Sequence, residues 1–183
     1  MDDTPEFTGV ETRRISWARN SAAYRLSRRM LSEQQLREQI IRKARQKFEE
    51  IGDEECSLLA EAAIAYGRQL GALNDKNFAE VKLRSQARQG KSSRAIAHGL
   101  RSKGIEAAIV ESAMQNADDV SAAIILARKR GYGPFDRHGD RLEQRARQLA
   151  AFARNGFSFD LARRVLDMSR EEAEAELETG GEW

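Results

Sequence analysis

The feature that most constrains the fold of this chain is an apolar pattern that recurs after 52 residues. Gly104 and the apolar Ile105 that follows it recur as Gly156 and Phe157. The surrounding apolar positions recur at the same offset, as the pairs Leu100 and Phe152, Ile109 and Leu161, Ala113 and Val165, and Met114 and Leu166. A glycine after a helix is common, but that tendency does not account for the shared apolar frame. The pattern therefore predicts internal repeats, in which each unit buries its apolar face against a neighbour.

The composition indicates that these repeats are helical. Ala, Glu, Lys, Leu and Arg make up 92 of the 183 residues, whereas Val and Ile together contribute 15. Such a composition is typical of long helices, and the chain has two prolines, Pro5 and Pro134, to interrupt them. Thin seams of Ala and Leu favour a repeat array over one thick core, and they make catalysis in a deep pocket less expected. The predicted fold is all-α, an elongated array of three tandem three-helix repeats.

Helix start signals divide the chain into units. Ser32 and Gln35 form a capping-box pattern, Ser92 and Asn74 precede further apolar stripes, and Ser16 is placed to cap the first helix. The apolar stripe after Ser32 predicts a long middle helix, 32–51, in the first repeat.

The predicted organisation has five segments. They are a disordered acidic N-terminal tail (1–15), repeat one (16–73), repeat two (74–117), repeat three (118–168) and an acidic C-terminal tail or short helix (169–183). The first repeat fits the common template less well than the other two, since its middle helix is about two turns longer.

Charge alternates in sign along the chain although the net charge is +2. Residues 13–47 hold 11 bases and 2 acids, and 48–80 hold 2 bases and 8 acids. Residues 81–105 then hold seven bases and no acid, followed by four acids and no base in 106–119. An alternation on this scale supports a repeating unit and points to basic surfaces that suit an anionic partner.

The chain lacks the residue clusters that most enzymes and metal sites need. Its two histidines, His98 and His138, are far apart in sequence and no cysteine cluster accompanies them, so no metal site is expected. Cys56 is alone, which excludes a disulfide framework and favours a small apolar filler over a nucleophile. Gly131-Tyr132-Gly133-Pro134 lacks the ending of a phosphate-binding loop and is interpreted as a helix stop. With no signal peptide or spanning segment, we expect a cytoplasmic protein without a membrane partner.

The middle and last thirds carry a family signature. It comprises Gly71-Ala72-Leu73-Asn74-Asp75, Phe78-Ala79, Arg84, Gly90, Ile96, Leu100, Lys103-Gly104-Ile105 and Arg154-Asn155-Gly156-Phe157. These residues resemble those of the RecX family, bacterial regulators of the RecA recombinase. The resemblance covers roughly residues 16–168. Two features depart from the family pattern: the long first-repeat helix lacks the usual short helix followed by a Lys-Gly turn, and 169–183 extends beyond it.

The resemblance implies a protein of tandem three-helix repeats that binds the RecA filament on single-stranded DNA and inhibits its ATP hydrolysis and strand exchange. It implies no catalytic residue and no cofactor, and we expect a monomer. The candidate partner-binding residues are Arg84, Arg88, Lys91, Arg94, Arg101, Lys103, Arg128, Lys129, Arg130, Arg141 and Arg145.

Helical spacing supports several of these candidates. Arg94, His98 and Arg101 share one face of a predicted helix, whereas Ile96, Leu100 and Lys103 are expected on the opposite side. The pairs Arg84 and Arg88, and Arg141 and Arg145, place like charges four residues apart, which costs a few tenths of a kcal/mol per pair and hints at an anionic partner. For a single arginine, a solvated helix face is the simpler interpretation.

Two other functions fit the same charges. In one, the chain binds single-stranded DNA or another nucleic acid directly, and its basic edges follow the phosphates; in the other, it is a plain helical scaffold whose charges serve solubility. Phosphate binding is far more sensitive to salt than docking on a protein groove with apolar anchors, so salt dependence distinguishes the first of these from a recombinase regulator.

Overall fold

The computed structural model describes residues 9–136 and 142–180, and all regular structure within them is helical. The helices are α1 (Gly9–Leu26), α2 (Glu33–Lys47), α3 (Asp53–Gln69), α4 (Asp75–Ala87), α5 (Ser93–Arg101), α6 (Ala107–Met114), α7 (Asp119–Arg130), α8 (Leu142–Arg154), α9 (Phe159–Asp167) and α10 (Arg170–Thr179), with a 3-10 turn at Gly133–Phe135. The prediction of an all-α chain is therefore confirmed.

The described residues form two compact units. The first contains the chain up to Phe78 together with Lys103–Ile105, and the second contains Ala79–Ser102 and the chain from Glu106 onward. The division falls inside α4, whereas the repeat boundaries predicted after residues 73, 117 and 168 all fall between helices. The compact units thus do not coincide with single predicted repeats.

The core of the first unit is built from α1, α2 and α3. Leu36, Ile40 and Ala44 form the buried stripe predicted for α2, and they pack with residues of α1 and α3 that include Ala18, Ala22, Leu59, Ala63 and Ile64. Small residues on α1 and α3 allow close approach of the helix backbones. Cys56 is a buried free thiol in this core, in agreement with its predicted role as an apolar filler.

Helix α1 begins earlier than the sequence predicts. It starts at Gly9, so residues 9–15 do not belong to a disordered tail, and Ser16 lies inside the helix rather than at its N-cap. The Ser16 hydroxyl donates to the carbonyl oxygen of Thr12 at 2.9 Å, four residues earlier. A serine can make this bond to the preceding turn without ending the helix, which is why its presence alone did not mark the boundary.

Helix α2 is shorter than predicted, because it ends at Lys47 rather than Ile51. Phe48 is extended, and Glu50 adopts a left-handed conformation with φ of 54°. Glu50 lies three residues before the next helix begins and is followed by Ile51, as Gly104 is by Ile105 and Gly156 by Phe157. The first repeat therefore forms the same turn with a glutamate where the others have glycine.

The predicted left-handed turns are present in the other two repeats. Gly104 has φ of 74° and Gly156 has φ of 87°. The apolar residue after each glycine is buried, and the ring of Phe157 meets that of fully buried Phe152 edge to face, with 5.8 Å between centroids. Ile109 and Leu161, expected at the same contacts, are half-buried.

Each unit contains one N-cap serine packed against one of these turns. In the first unit the hydroxyl of buried Ser32 donates to the Lys103 carbonyl at 2.7 Å, and its capping box with Gln35 is formed as predicted. In the second unit the backbone N–H of buried Ser92 donates to the Asn155 carbonyl at 3.1 Å. The turns are therefore held by long-range contacts as well as by their own backbone.

An aspartate accompanies each of these serines. The Glu33 N–H donates to Asp75 in the first unit, and the Ser93 N–H donates to Asp119 in the second, at 2.9 and 2.6 Å. Burial raises the pKa of the Asp75 carboxyl, and the bond from Glu33 opposes that rise. The same construction therefore occurs in both units.

The second unit ends with α10, in the segment predicted as an acidic tail or short helix. Ser169 and Glu172 form a capping box at its start, and Ala173 is fully buried. The Arg164 guanidinium of α9 pairs with Glu176 at 2.8 Å. Most of the other acids of α10 remain exposed.

Candidate functional site

Helix α5 presents a basic face to solvent. Ser92 caps it, and Ile96 and Leu100 are buried, whereas Arg94, His98 and Arg101 are exposed. This division agrees with the predicted periodicity. Lys103 departs from it, because the helix ends at Arg101 and Lys103 lies half-buried in the following turn, where its carbonyl is a structural acceptor.

The C-terminal ends of α4 and α7 come together in the second unit. The Lys129 ammonium of α7 donates to the backbone carbonyl of Arg88 at 2.8 Å. Gly90, with φ of 83°, permits this approach, because a Cβ at that position would lie 2.9 Å from the Leu126 backbone. Arg84 and Arg88 are exposed and line a shallow groove on α4. The fold thus joins bases that are about 40 residues apart in sequence.

A second cleft, of about 490 Å³, follows α7. Its basic lining residues are Arg128, Lys129, Arg130 and Arg170, and it continues along Gly131 and Pro134–Asp136. Gly131 ends α7 in the left-handed conformation, as expected of the predicted helix stop. Arg170 was absent from the candidates, because in sequence it stands at the start of an acidic stretch and pairs with Glu174 four residues later.

Six of the candidate bases have no carboxylate partner among the described residues. Within residues 9–136 and 142–180, no ion pair involves Arg84, Lys91, Arg94, Arg101, Arg128 or Arg130, and all six side chains are exposed. Arg128 and Arg130 at the end of α7, and Arg94 and Arg101 on the exposed face of α5, therefore keep their positive charge uncompensated by the described part of the chain.

Two candidates stand apart from this set. Arg145 is held in an ion pair with Asp167 and its side chain is only 22% exposed, so it links α8 to α9. Arg141 lies outside the described residues, as does His138. The predicted equivalence of Arg141 and Arg145 with Arg84 and Arg88 therefore has no structural support at Arg145, because an acid of the neighbouring helix neutralises it.

The described residues hold no group of three or more His, Cys, Asp or Glu side chains arranged to bind a metal ion. Among the same residues, no helix has the length and apolar character to cross a membrane.

The fold and the charged surface define a helical protein of three-helix units that exposes a set of arginines without ion-pair partners among the residues that the structure describes. The sequence model for the second three-helix domain of RecX matches residues 74–114. The regulatory protein RecX of Agrobacterium fabrum is 46% identical over 176 residues, which cover 95% of this chain and 96% of that protein. The chain belongs to the RecX family of regulatory proteins.

Further relatives agree with this assignment. The regulatory protein RecX of Myxococcus xanthus is 37% identical over 159 residues, covering 83% of this chain and 85% of that protein. A crystal structure of RecX from Lactobacillus salivarius matches with a TM-score of 0.62 at 21% identity, over 90% of this chain and 99% of that one. The structural match supports the same fold of tandem three-helix units.

Proposed function

We propose that this regulatory protein binds the RecA recombinase filament on single-stranded DNA and inhibits its ATP hydrolysis and strand exchange. The observation that carries the proposal is a set of exposed arginines that form no ion pair within the described residues: Arg84, Arg94, Arg101, Arg128 and Arg130. Family membership identifies the regulatory class, and the exposed arginines support this surface as the one that contacts the partner.

The chemistry of arginine suits a filament of protein and DNA. The guanidinium group donates two parallel hydrogen bonds to a carboxylate or a phosphate, and it is more weakly hydrated than an ammonium group. Arg94 and Arg101 stand on a short helix whose opposite face is anchored by Ile96 and Leu100. A rigidly held helix loses little conformational entropy on binding, which makes these side chains effective contacts.

The experiment replaces Arg84, Arg88, Arg94 and Arg101 with Ala and measures ATP hydrolysis by RecA on single-stranded DNA. We expect the concentration for half inhibition to rise at least about tenfold, since arginines at interface centres are energetically dominant. The melting temperature should hardly change, because exposed charges away from packed contacts alter stability by less than about 0.5 kcal/mol.

The matched control replaces four exposed bases of the first unit, Arg19, Arg29, Arg42 and Lys43, with Ala. It lowers the net charge by the same amount, so a general loss of electrostatic attraction would affect both variants alike. Equal loss of inhibition in the two variants, or unchanged inhibition in the α4–α5 variant, would contradict the proposed surface.

Direct binding of single-stranded DNA is the second candidate, favoured by the cleft lined by Arg128, Lys129, Arg130 and Arg170. Four phosphate contacts on single-stranded DNA should cost about fiftyfold in affinity when the salt concentration rises fourfold. Binding to bare DNA with that salt dependence, lost when Arg128 and Arg130 become Ala, would favour this candidate. A pull-down on RecA filaments, with bare single-stranded DNA as the control, separates the two functions.

A further inference from the structure

The first unit carries a cleft with an aromatic floor between α1 and α2, far in sequence from the arginines discussed above. The cleft measures about 370 Å³ and is lined by Arg13, Arg14, Trp17, Lys47 and Phe48. The rings of Trp17 and Phe48 meet edge to face, with 5.0 Å between centroids and 84° between planes. Both rings pack against the core of the unit but are only partly buried, so part of an aromatic pair stays accessible.

One wall of the cleft is a fixed arginine. The Arg14 guanidinium lies 5.0 Å from the centre of the Phe48 ring and donates to both carboxylate oxygens of Glu55, at 2.5 and 2.6 Å. Glu55 compensates its charge and orients it, so Arg14 shapes the cleft rather than supplying free charge.

The rim of the cleft is basic. The Lys47 ammonium lies 5.9 Å from the centre of the Phe48 ring, Lys47 is exposed, and it forms no ion pair within the part of the chain that is described. Arg13 adds a second exposed base on α1. An apolar floor with cations at its edge is complementary to an apolar side chain flanked by carboxylates.

We propose that this cleft binds an acidic peptide segment of a partner protein that places one aromatic or aliphatic side chain in the recess over the exposed parts of Trp17 and Phe48, next to Lys47. The inserted side chain covers the exposed parts of the two rings, and the carboxylates on either side of it meet Lys47 and Arg13. Aromatic and arginine residues at an apolar centre with a charged rim are the composition of an energetically dominant interface patch.

The ring geometry favours a peptide over a nucleic acid. Stacking a nucleobase needs an open ring face, and successive bases need parallel platforms. Here the Arg14 and Lys47 cations already lie within 6 Å of the Phe48 centroid, and the two rings are nearly perpendicular. An inserted side chain needs only an apolar recess, which this arrangement offers.

The test uses Trp17 as its own reporter. The chain has two tryptophans, so Trp183→Phe in the full chain leaves Trp17 as the single source of tryptophan fluorescence. The probe is a synthetic peptide with one Phe flanked on both sides by Glu residues. We expect saturable binding with a shift of Trp17 emission to shorter wavelength, because the inserted ring excludes water from the indole.

Matched substitutions in the peptide and in the protein test which groups make the proposed contacts. Replacing the Phe of the peptide with Ser should weaken binding about tenfold, as should Lys47→Glu in the protein. Lys43→Glu makes the same charge change one turn away on α2, at an exposed residue that does not line the cleft, and should leave the affinity within about twofold. Circular dichroism and the melting temperature verify that the variants fold.

Three results would overturn the proposal. They are an absence of saturable binding, equal affinity for the Phe and Ser peptides, and tighter binding of a thymidine oligonucleotide that shifts the Trp17 emission. An equal loss for Lys43→Glu and Lys47→Glu would also count against it, since it would reduce the effect to general electrostatics. None of these measurements involves the recombinase, so their outcome is independent of the function proposed above.

Discussion

The two compact units share an internal construction but differ in how they use their charges. Each unit packs a buried N-cap serine against a left-handed turn, Ser32 with the Lys103–Gly104 turn and Ser92 with the Asn155–Gly156 turn. In the first unit, four arginines pair with acids across the unit: Arg14 with Glu55, Arg37 with Glu61, Arg45 with Asp53 and Arg68 with Glu33. In the second, Arg145, Arg163, Arg164 and Arg170 also pair with acids. Within the described residues, however, the exposed Arg84, Arg94, Arg101, Arg128 and Arg130 form no ion pair.

The two basic segments of the sequence differ in whether the acids that follow them form ion pairs with their bases. Residues 13–47 are followed by an acidic block that supplies Asp53, Glu55 and Glu61 to α1 and α2. The acids that follow the block at 81–105 include Asp119, which is used to accept hydrogen bonds from Ser93 at the start of α5. The scaffold of the two units is thus alike, whereas Arg84, Arg94 and Arg101 in the basic block of the second unit receive no acid partner from the described residues that follow.

The largest expected effect on stability tests the turn of the second unit at the contact between Phe152 and Phe157. Phe157→Ala should lower the free energy of unfolding by about 3 to 5 kcal/mol, because Phe157 is buried and loses its ring contact with Phe152. Phe159→Ala, two residues away at a side chain that is 62% exposed, should change it by less than about 0.5 kcal/mol. Urea unfolding measures both, and similar losses would contradict the burial assigned to Phe157.

The next effect tests whether the two turns are equivalent. A Cβ at Gly104 would lie 2.5 Å from the Gln34 Cβ, and one at Gly156 would lie 2.9 Å from the Ala95 Cβ. Gly104→Ala and Gly156→Ala should each cost about 2 to 4 kcal/mol, from the left-handed backbone and the crowding together.

Gly71→Ala is the matched control for this pair. Gly71 has φ of 66° but nothing within 4 Å of the added methyl group, so the cost should be about 1 to 2 kcal/mol from the backbone alone. Thermal or urea unfolding of the three variants compares them. Equal losses at all three positions would mean that the contacts of the turns with the N-cap regions contribute nothing to stability.

A smaller effect on stability distinguishes an arginine with an ion pair in the first unit from one without in the second. Arg14→Ala should destabilise the first unit by about 1 to 2 kcal/mol, because it removes a two-fold hydrogen bond to Glu55 and the contact with Phe48. Arg94→Ala removes an exposed side chain without an ion pair and should cost less than about 0.5 kcal/mol. A large loss for Arg94→Ala would show that the α5 bases also serve folding.

The smallest expected effect has the opposite sign and concerns the one turn without glycine. Glu50→Gly should stabilise the protein by about 0.5 to 1 kcal/mol, because Glu50 holds a positive φ that glycine adopts without steric cost. Glu49→Gly, at the neighbouring residue without positive φ, should instead destabilise it by about 0.4 to 1 kcal/mol through the entropy of the unfolded chain. Chemical denaturation measures the free energy of unfolding of both variants, which should rise for Glu50→Gly and fall for Glu49→Gly.

The local features of the fold follow from sequence because they depend on residues within a few positions of one another. The capping box of Ser32 with Gln35, the cap at Ser92, the left-handed glycines and the apolar stripes of α2 and α5 are all interactions of this range. A serine can either cap a helix or lie within one, so it does not by itself fix where the helix begins. Ser16 was predicted as an N-cap, but its hydroxyl donates to the preceding turn of α1 instead. The family resemblance, carried by the turn motifs, was confirmed for the same reason.

The surface proposed for partner binding required the tertiary structure. Whether an arginine is free depends on acids that the fold brings from a distance, 41 positions away for Arg14 and 22 for Arg145. The junction of Arg88 with Lys129, the place of Arg170 in a basic cleft and the meeting of Trp17 with Phe48 are likewise contacts between helices. Sequence by itself therefore determined the helices, the turns and the family of this protein, since local backbone chemistry specifies them. Only the packing of the helices decided which charges and rings remain available, because long-range contacts, which no local spacing encodes, neutralise some side chains and leave others exposed.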